Sequence, residues 1–336
     1  MKIALFTLGG TIASTSTSTG AGVMPQLTGA DLVASVPGLE RAGVTVGVHD
    51  FRQVPSSSLT IDDVLDLVRA IRAEAAAGAD GVVVSQGTDT IEETAFLADL
   101  LYAGPVPVVF TGAMRNPTLA GPDGPANLRA AVTVAASPQA RGLGCLVVLS
   151  DEIHAARFVR KAHTTSVTAF VSPLAGPLGL VAEDHAIVVT RPARWAALPD
   201  PRPGALVRTG LLTMVLGDDG TLLDAAAGRF DGLVVAGFGG GHVPGPIAAA
   251  LGDAAQRIPV VLASRTGAGM VLAGTYAYPG SELDLRGRGL IGAGFLDPLK
   301  ARLLLHLLLA GGASRDAIAA TFAAVGADLP GPARPA

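Results

Sequence analysis

Three polar clusters in this sequence each follow an apolar run and carry groups able to do chemistry. They are Gly9-Gly10-Thr11, Ser56 in the run Ser56-Ser57-Ser58, and Thr88 with Asp89. A hydroxyl beside glycines suits a nucleophile, and a carboxylate suits a cationic amine. Backbone N–H groups at a helix start suit an oxyanion or a carboxylate. Histidine supplies no evident base. His49, His154, His163, His185, His242 and His306 are scattered without triad or metal-ligand spacing, so surface or core roles are expected for them. Lysine offers another route: the chain has only Lys2, Lys161 and Lys300, against 21 arginines. Arginine cannot give up its proton in a protein, whereas a lysine pushed toward neutrality can act as a base. Lys161, in the polar stretch Arg160-Lys161-Ala162-His163-Thr164-Thr165, is the candidate; a solvated surface charge is the alternative.

These residues need elements to hold them, and residues 81–101 show the pattern best. Val82, Val83 and Val84 form a β-branched run, as in a strand covered on both faces of a parallel sheet. Thr90 with Glu93 has capping-box spacing, and Ile91, Thr94, Ala95, Leu97, Ala98 and Leu101 recur at helical spacing, which predicts a helix from about Thr90. Gln86, Gly87, Thr88 and Asp89 then lie on the turn at the carboxyl end of the strand, where open parallel sheets bind ligands. Further strands are predicted at 2–7, 44–48, 106–111, 145–149 and 185–189, and helices at 28–36, 60–76 and 125–136. Such alternation means a parallel, helix-covered sheet. The segment 14–22, small and polar without a period, is expected to be mobile and to serve as a lid. The proline-rich stretch 191–204 reads as a linker. The expected partition is a catalytic domain over 1–190, a linker over 191–210 and a smaller α/β domain over 211–336. Strands at 211–216, 232–236 and 259–263 are predicted in the smaller domain, with helices near 245–251 and 297–309 and a last one capped by Ser314.

Composition excludes several classes. Charged residues are 15% with a net charge of −4 and no basic run, so no nucleic-acid partner is expected. The mean hydropathy of +0.48 comes from Ala, Val and Leu spread along the chain. The most continuous apolar run, 303–310, is far short of the ~20 residues that a membrane span needs. The opening residues run into Gly9-Gly10 without a cleavage pattern and suit a first strand better than a signal peptide. The single cysteine, Cys145, permits no intramolecular disulfide and suits a small buried hydrophobe. Cytoplasmic residence is the expectation.

In four separate motifs the chain resembles the bacterial-type L-asparaginases of the asparaginase/glutaminase family. They are TLGGTIAS (7–14), SQGTDTIEETAFLADLL (85–101), TGAMRNP (111–117) followed by GPDGPANL (121–128), and DEIHAARFVRKAHTTSVTAF (151–170). The resemblance implies a two-domain α/β fold, a larger N-terminal mostly parallel sheet flanked by helices and a smaller C-terminal α/β domain. It implies hydrolysis of L-asparagine to L-aspartate and ammonia without metal or organic cofactor. By position, Thr11 is the implied nucleophile forming an acyl-enzyme, with Thr88 and Lys161 the second part of the machinery. Asp89 would bind the substrate ammonium and Ser56 its α-carboxylate, while N–H groups near Thr88 and Ala113 would hold the oxyanion. The family also implies a homotetramer, a dimer of dimers, in which a neighbouring subunit helps build each site.

The chain departs from the family pattern at named places. Gln86 stands where the motif has histidine; it hydrogen-bonds but does not titrate, and it is counted with the substrate-binding set. A lid tyrosine is absent, Val23 or Met24 taking its approximate place, so Tyr276 of the second domain or a water is the expected activator of Thr11. Gly240 replaces an asparagine of the second-domain glycine loop, and Arg160 replaces a small polar residue. His242, on that loop, either faces solvent or approaches a neighbour's site. Alternative functions are a glutaminase or broader small-amide hydrolase, an amidotransferase subunit, and an amino-acid-binding protein with decayed catalysis. A dinucleotide site is disfavoured, because Gly9-Gly10-Thr11 lacks a third glycine and an acidic partner.

Overall fold

The computed structural model describes residues 1–16, 23–25, 27–38, 43–202, 204–226 and 228–329. The chain divides into two compact units, Met1–Ala197 and Leu198–Ala336.

In the first unit the strands are β1 (Lys2–Thr7), β2 (Ser14–Ser16), β3 (Val23–Pro25), β4 (Thr45–Asp50), β5 (Gly81–Ser85), β6 (Val108–Thr111), β7 (Cys145–Leu149), β8 (Glu152–Ala155), β9 (Arg160–Lys161), β10 (Phe170–Val171), β11 (Gly179–Ala182) and β12 (His185–Val188). The helices are α1 (Gly29–Ala34), α2 (Ile61–Ala76), α3 (Ile91–Leu101) and α4 (Gly124–Ala136). Eight strands form one sheet in the order β4-β1-β5-β6-β7-β8-β11-β12. The first five are parallel, and the last three add as antiparallel hairpin strands. Alternate side chains Ile3, Leu5, Val83, Val109, Leu146 and Val148 share a core with Leu32 of α1 and Leu128 of α4. Period-two geometry sends Ala4, Phe6, Val82, Val84 and Phe110 to the opposite face, and all are buried. After β1 the chain pairs to one side with β4, and then returns to pair β5 on the other. The order therefore reverses at β1, and the crevice beyond the carboxyl ends of β1 and β5 is the topological switch point.

Three expectations need correction here. Residues 14–16 are not structureless: β2 pairs antiparallel with β3, Ser14 opposite Pro25 and Ser16 opposite Val23. The tip of the expected lid, 17–22, lies outside the described residues. Second, β8 and β11 stand between β7 and β12. They were not predicted because their turns, Ser150-Asp151 and Glu183-Asp184, take positive φ (50° and 61°, 48° and 62°) without glycine, so the usual hairpin signal is missing. Third, the start of the proline-rich stretch packs on the first unit, which runs to Ala197. Arg194 donates to Asp99 Oδ1 at 2.7 Å and to the Tyr102 carbonyl at 2.8 Å. Trp195 meets Phe96 edge-on at 6.2 Å.

The second unit contains β13 (Thr209–Thr213), α5 (Thr221–Ala226), β14 (Gly232–Gly237), α6 (Ala248–Arg257), β15 (Val260–Ser264), α7 (Glu282–Gly287), β16 (Ile291–Gly292), α8 (Pro298–Ala310) and α9 (Arg315–Gly326). Its four strands are parallel in the order β13-β14-β15-β16. Asp297 caps α8 through the N–H groups of Leu299 and Lys300, with Pro298 at the first helical position, where a missing N–H costs nothing. β13 starts at Thr209, inside the expected linker, and ends at Thr213. Leu216, expected in that strand, is 97% exposed.

Candidate active site

The turn after β1 is built from glycine for a steric reason. Gly10 has φ of 93°, and any side chain there would collide with the backbone of Gly87. A Cβ on Gly87 would in turn fall 2.7 Å from Ser56 Oγ. Only glycine lets the two backbones meet, and their contact brings the three polar clusters together. Thr11 opens a 3-10 turn, Thr11–Ala13, seated on buried Ile12 and Ala13.

Ser56 is the inward-facing member of its run: it is buried, while Ser57 and Ser58 are exposed. The turn after β5 is also a 3-10 turn, Thr88–Thr90, running into α3. Here the predicted capping box fails. Thr90 sits at the N-cap with φ −121° and ψ 13° and makes no side-chain cap bond. Its hydroxyl donates instead to the Ser56 carbonyl at 3.1 Å, tying two clusters together. Gln86 is fully buried beneath this turn. It accepts from Thr94 Oγ1 at 2.9 Å, and its amide nitrogen lies 3.3 Å from the Gly87 carbonyl and 3.4 Å from Thr90 Oγ1. Its hydrogen-bonding capacity thus goes to holding the turn.

Lys161 ends β9, opposite Phe170 of β10. Its Nζ donates to Thr88 Oγ1 at 2.9 Å and to Asp89 Oδ1 at 2.7 Å. The Lys161 side chain is 14% exposed and that of Asp89 67%. An ion pair with so exposed a member adds only about 0–1 kcal/mol to stability, so the arrangement is weak as a brace. As chemistry it is strong: an amine in contact with a hydroxyl can pass that hydroxyl's proton, and a carboxylate alongside balances the charge. Beyond β6, Gly112 lies against the same turn. A Cβ there would meet the Gln86 carbonyl at 2.6 Å and Thr88 Cγ2 at 3.2 Å. Ala113, which follows, is fully buried. Thr11, Ser56, Thr88, Asp89 and Ala113 thus ring the carboxyl ends of β1, β4, β5 and β6, with Lys161 reaching in from β9.

Tyr276 belongs to the second unit, in a cluster of its own. Its ring lies 5.1 Å from that of His242 and 5.9 Å from that of Tyr278. His242 does not simply face solvent: Nδ1 is 2.9 Å from Tyr278 Oη and Nε2 is 3.1 Å from Glu282 Oε2. Burial pushes the Glu282 carboxyl up, but the N–H groups of Tyr276 and Thr275, with His242 alongside, hold it below the usual range. Gly240 is explained by packing, since a Cβ there would fall 2.7 Å from Leu272 Cδ1.

What the spacing of residues did not reveal is the partner of each glycine and the work of Thr90. The glycines beside hydroxyls were visible; which backbone each had to admit was not. Among the described residues no group of three His, Cys, Asp or Glu is placed to hold a metal ion, and no helix is long and apolar enough to cross a membrane.

Residues 2–194 match the family model for the asparaginase N-terminal domain, and residues 208–322 match that for the glutaminase/asparaginase C-terminal domain. The chain is 40% identical to a protein of Deinococcus radiodurans named "Probable L-asparaginase", over 96% of this chain and 97% of that protein. It is 35% identical to an L-asparaginase of Bacillus licheniformis, over 92% and 95%. Among solved structures it is similar to one described as a probable cytoplasmic L-asparaginase from Campylobacter jejuni, with a TM-score of 0.85, 31% identity, and coverage of 96% of this chain and 98% of that one.

Proposed function

This chain belongs to the asparaginase family, and from that premise we propose that it hydrolyses the side-chain amide of L-asparagine to L-aspartate and ammonia, with Thr11 as nucleophile. The observation that carries the reading is Lys161 Nζ, 2.9 Å from Thr88 Oγ1 and 2.7 Å from Asp89 Oδ1, beside the Gly10–Gly87 contact that presents Thr11. Thr11 Oγ attacks the amide carbon, its hydroxyl proton is passed to the amide nitrogen, and the tetrahedral intermediate collapses with cleavage of the C–N bond and release of NH3. The resulting ester is attacked by a water whose proton passes through Thr88 to Lys161 in its neutral amine form; as the ester C–O bond breaks that proton returns to Thr11 Oγ, restoring the hydroxyl and releasing L-aspartate. Asp89 receives the substrate ammonium and Ser56 its α-carboxylate. The N–H groups of Thr88 and Ala113 receive the oxyanion, an interaction worth roughly 10²- to 10³-fold per donor. L-glutamine is the second substrate to try, since the C-terminal model is shared with glutaminases.

The test is ammonia release from purified protein supplied with L-asparagine or L-glutamine, with Thr11→Ala and Lys161→Ala in parallel. Hydrolysis of asparagine that both variants abolish supports the reading. A protein that releases no ammonia from either amide, yet is raised in Tm by L-aspartate, is an amino-acid-binding protein instead. The proposed assembly is a homotetramer, a dimer of dimers, which sedimentation velocity tests directly. A cytoplasmic location is proposed on the likeness to the Campylobacter jejuni protein. Because a Haemophilus influenzae relative is named as periplasmic, cell fractionation decides it.

A further inference from the structure

Asp123 occupies the N-cap position of α4 and does not cap it. Aspartate there ordinarily contributes about 1 kcal/mol to its helix. Asp123 instead has φ −93° and ψ −9° and makes no side-chain bond to the helix N–H groups. Its carboxylate turns back to the loop after β6, where Oδ2 accepts from the Met114 N–H at 3.0 Å and Oδ1 from the Arg115 N–H at 2.8 Å. Asn127, one turn along and 2% exposed, completes the arrangement. Its Nδ2 donates to the Gly112 carbonyl at 3.0 Å and to Asp123 Oδ2 at 3.1 Å. Its Oδ1 accepts from the Ser150 N–H at 2.9 Å. Backbone groups on both sides of Ala113 are therefore tied to α4, and none of these bonds uses the Ala113 N–H. On its other side the loop is pressed against Thr88, through the close approach of Gly112. Gly124, at the start of α4, leaves room for Ile12, where a Cβ would fall 2.9 Å from Ile12 Cγ1 and 3.4 Å from Ala113 Cβ. A helix that gives up its own cap to hold a loop between two candidate catalytic threonines marks a position where local stability yields to placement.

We propose that Asp123 and Asn127 are positioning residues which hold the Ala113 peptide at the reacting amide, so that its N–H meets the oxyanion as charge develops. The proposal rests on the acyl-transfer reading above. A fixed donor acts on the transition state and little on the ground state, so loosening it lowers kcat and spares binding. Asp123→Asn keeps the shape but sets an NH2 group against one of the donors the carboxylate now accepts. Turnover of L-asparagine is expected to fall about 10²-fold, the usual effect of misplacing a reacting group by roughly 1 Å. KM, and the thermal shift caused by L-aspartate, should stay within about threefold of wild type. Asn127→Ala releases the Gly112 carbonyl while leaving both backbone bonds of Asp123 in place, and should cost about 10-fold in kcat. It decides the matter if Asp123→Asn fails to fold.

Thr11→Ala runs beside them to separate the two levels. If Thr11→Ala keeps wild-type turnover, the functional reading fails and the positioning role falls with it. If Thr11→Ala is inactive while the foldable clamp variants keep kcat within about twofold, the positioning role alone is overturned. A parallel decline in kcat, Tm and aspartate binding also overturns it, because that is what a merely structural role predicts.

Discussion

Two ion pairs of equal length sit in the first unit in opposite surroundings. Lys161–Asp89 and Arg194–Asp99 both measure 2.7 Å, but the carboxylate side chain is 67% exposed in the first and 3% in the second. Burial pushes the Asp99 carboxyl up, while Arg194, the Cys145 N–H and Arg157 pull it back. That pair joins α3 to β7, through the Cys145 N–H on Asp99, and to the end of the unit. Its cation is an arginine, which holds its proton. The open pair uses a lysine, which can release one, and places it on a hydroxyl. Distance alone does not separate a brace from a proposed catalytic group; the burial of the carboxylate and the identity of the cation distinguish the two surroundings.

The contrast can be broken from either side. Lys161→Arg keeps the charge but removes the titratable amine, so kcat for asparagine should fall by roughly 10⁴-fold, about 5 kcal/mol of barrier. Tm should hardly move, and a chemical-denaturation curve beside the kinetic assay checks both. Asp99→Ala should do the reverse. It leaves the half-buried Arg194 without its carboxylate and the buried Cys145 N–H without its acceptor, at a cost of about 3 kcal/mol in urea-unfolding free energy, with kcat unchanged in whatever fraction remains folded.

A third titratable group sharpens the comparison, because burial wins over its partner. His154 is fully buried. Its Nδ1 is 3.0 Å from Ser172 Oγ, and Glu152 Oε2 lies 3.2 Å from Nε2 without forming a hydrogen bond. Burial pushes the ring down to about 4, so it is neutral at pH 7 despite the nearby carboxylate. Its folded value lies below its unfolded one. The unfolded chain therefore binds a proton first as pH falls from about 6.5 toward 4, and stability is lost across that window by up to roughly 3 kcal/mol. His154→Gln should flatten this part of the Tm-against-pH curve. The smallest effect is expected from Thr90→Val, which deletes the bond to the Ser56 carbonyl. It should cost about 1 kcal/mol in stability and raise KM for asparagine modestly; an unchanged KM would detach Thr90 from the site.

The β5–turn–α3 segment was legible because its cues are local: three valines in a row, then polar turn residues, then apolar positions at helical spacing. Thr90 was misjudged for the opposite reason. Capping-box spacing is a local rule, and here the competing acceptor was the carbonyl of Ser56, 34 residues away. The resemblance named Asp89 and Lys161, yet the pairing itself spans 72 residues and depends on the hairpin strands beyond β7. Their turns carry no glycine or asparagine to announce them. The GPDGPANL motif carries the family resemblance but not the direction of the Asp123 carboxylate, because its acceptor bonds go to the loop after β6 and not to its own helix.

From sequence alone came the kinds of group available, the strands and turns that carry them, the shortage of lysine that drew attention to Lys161, and the family. These follow from residue chemistry and short-range periodicity, which are written along the chain. Tertiary structure decided which of three serines turns inward, which backbones Gly10 and Gly87 must admit, and where the carboxylate of Asp123 points. It also decided which ion pair is sealed and which is open. Each of these depends on the order of strands in the sheet and on packing across both its faces, and that order is settled by contacts between residues far apart in the chain.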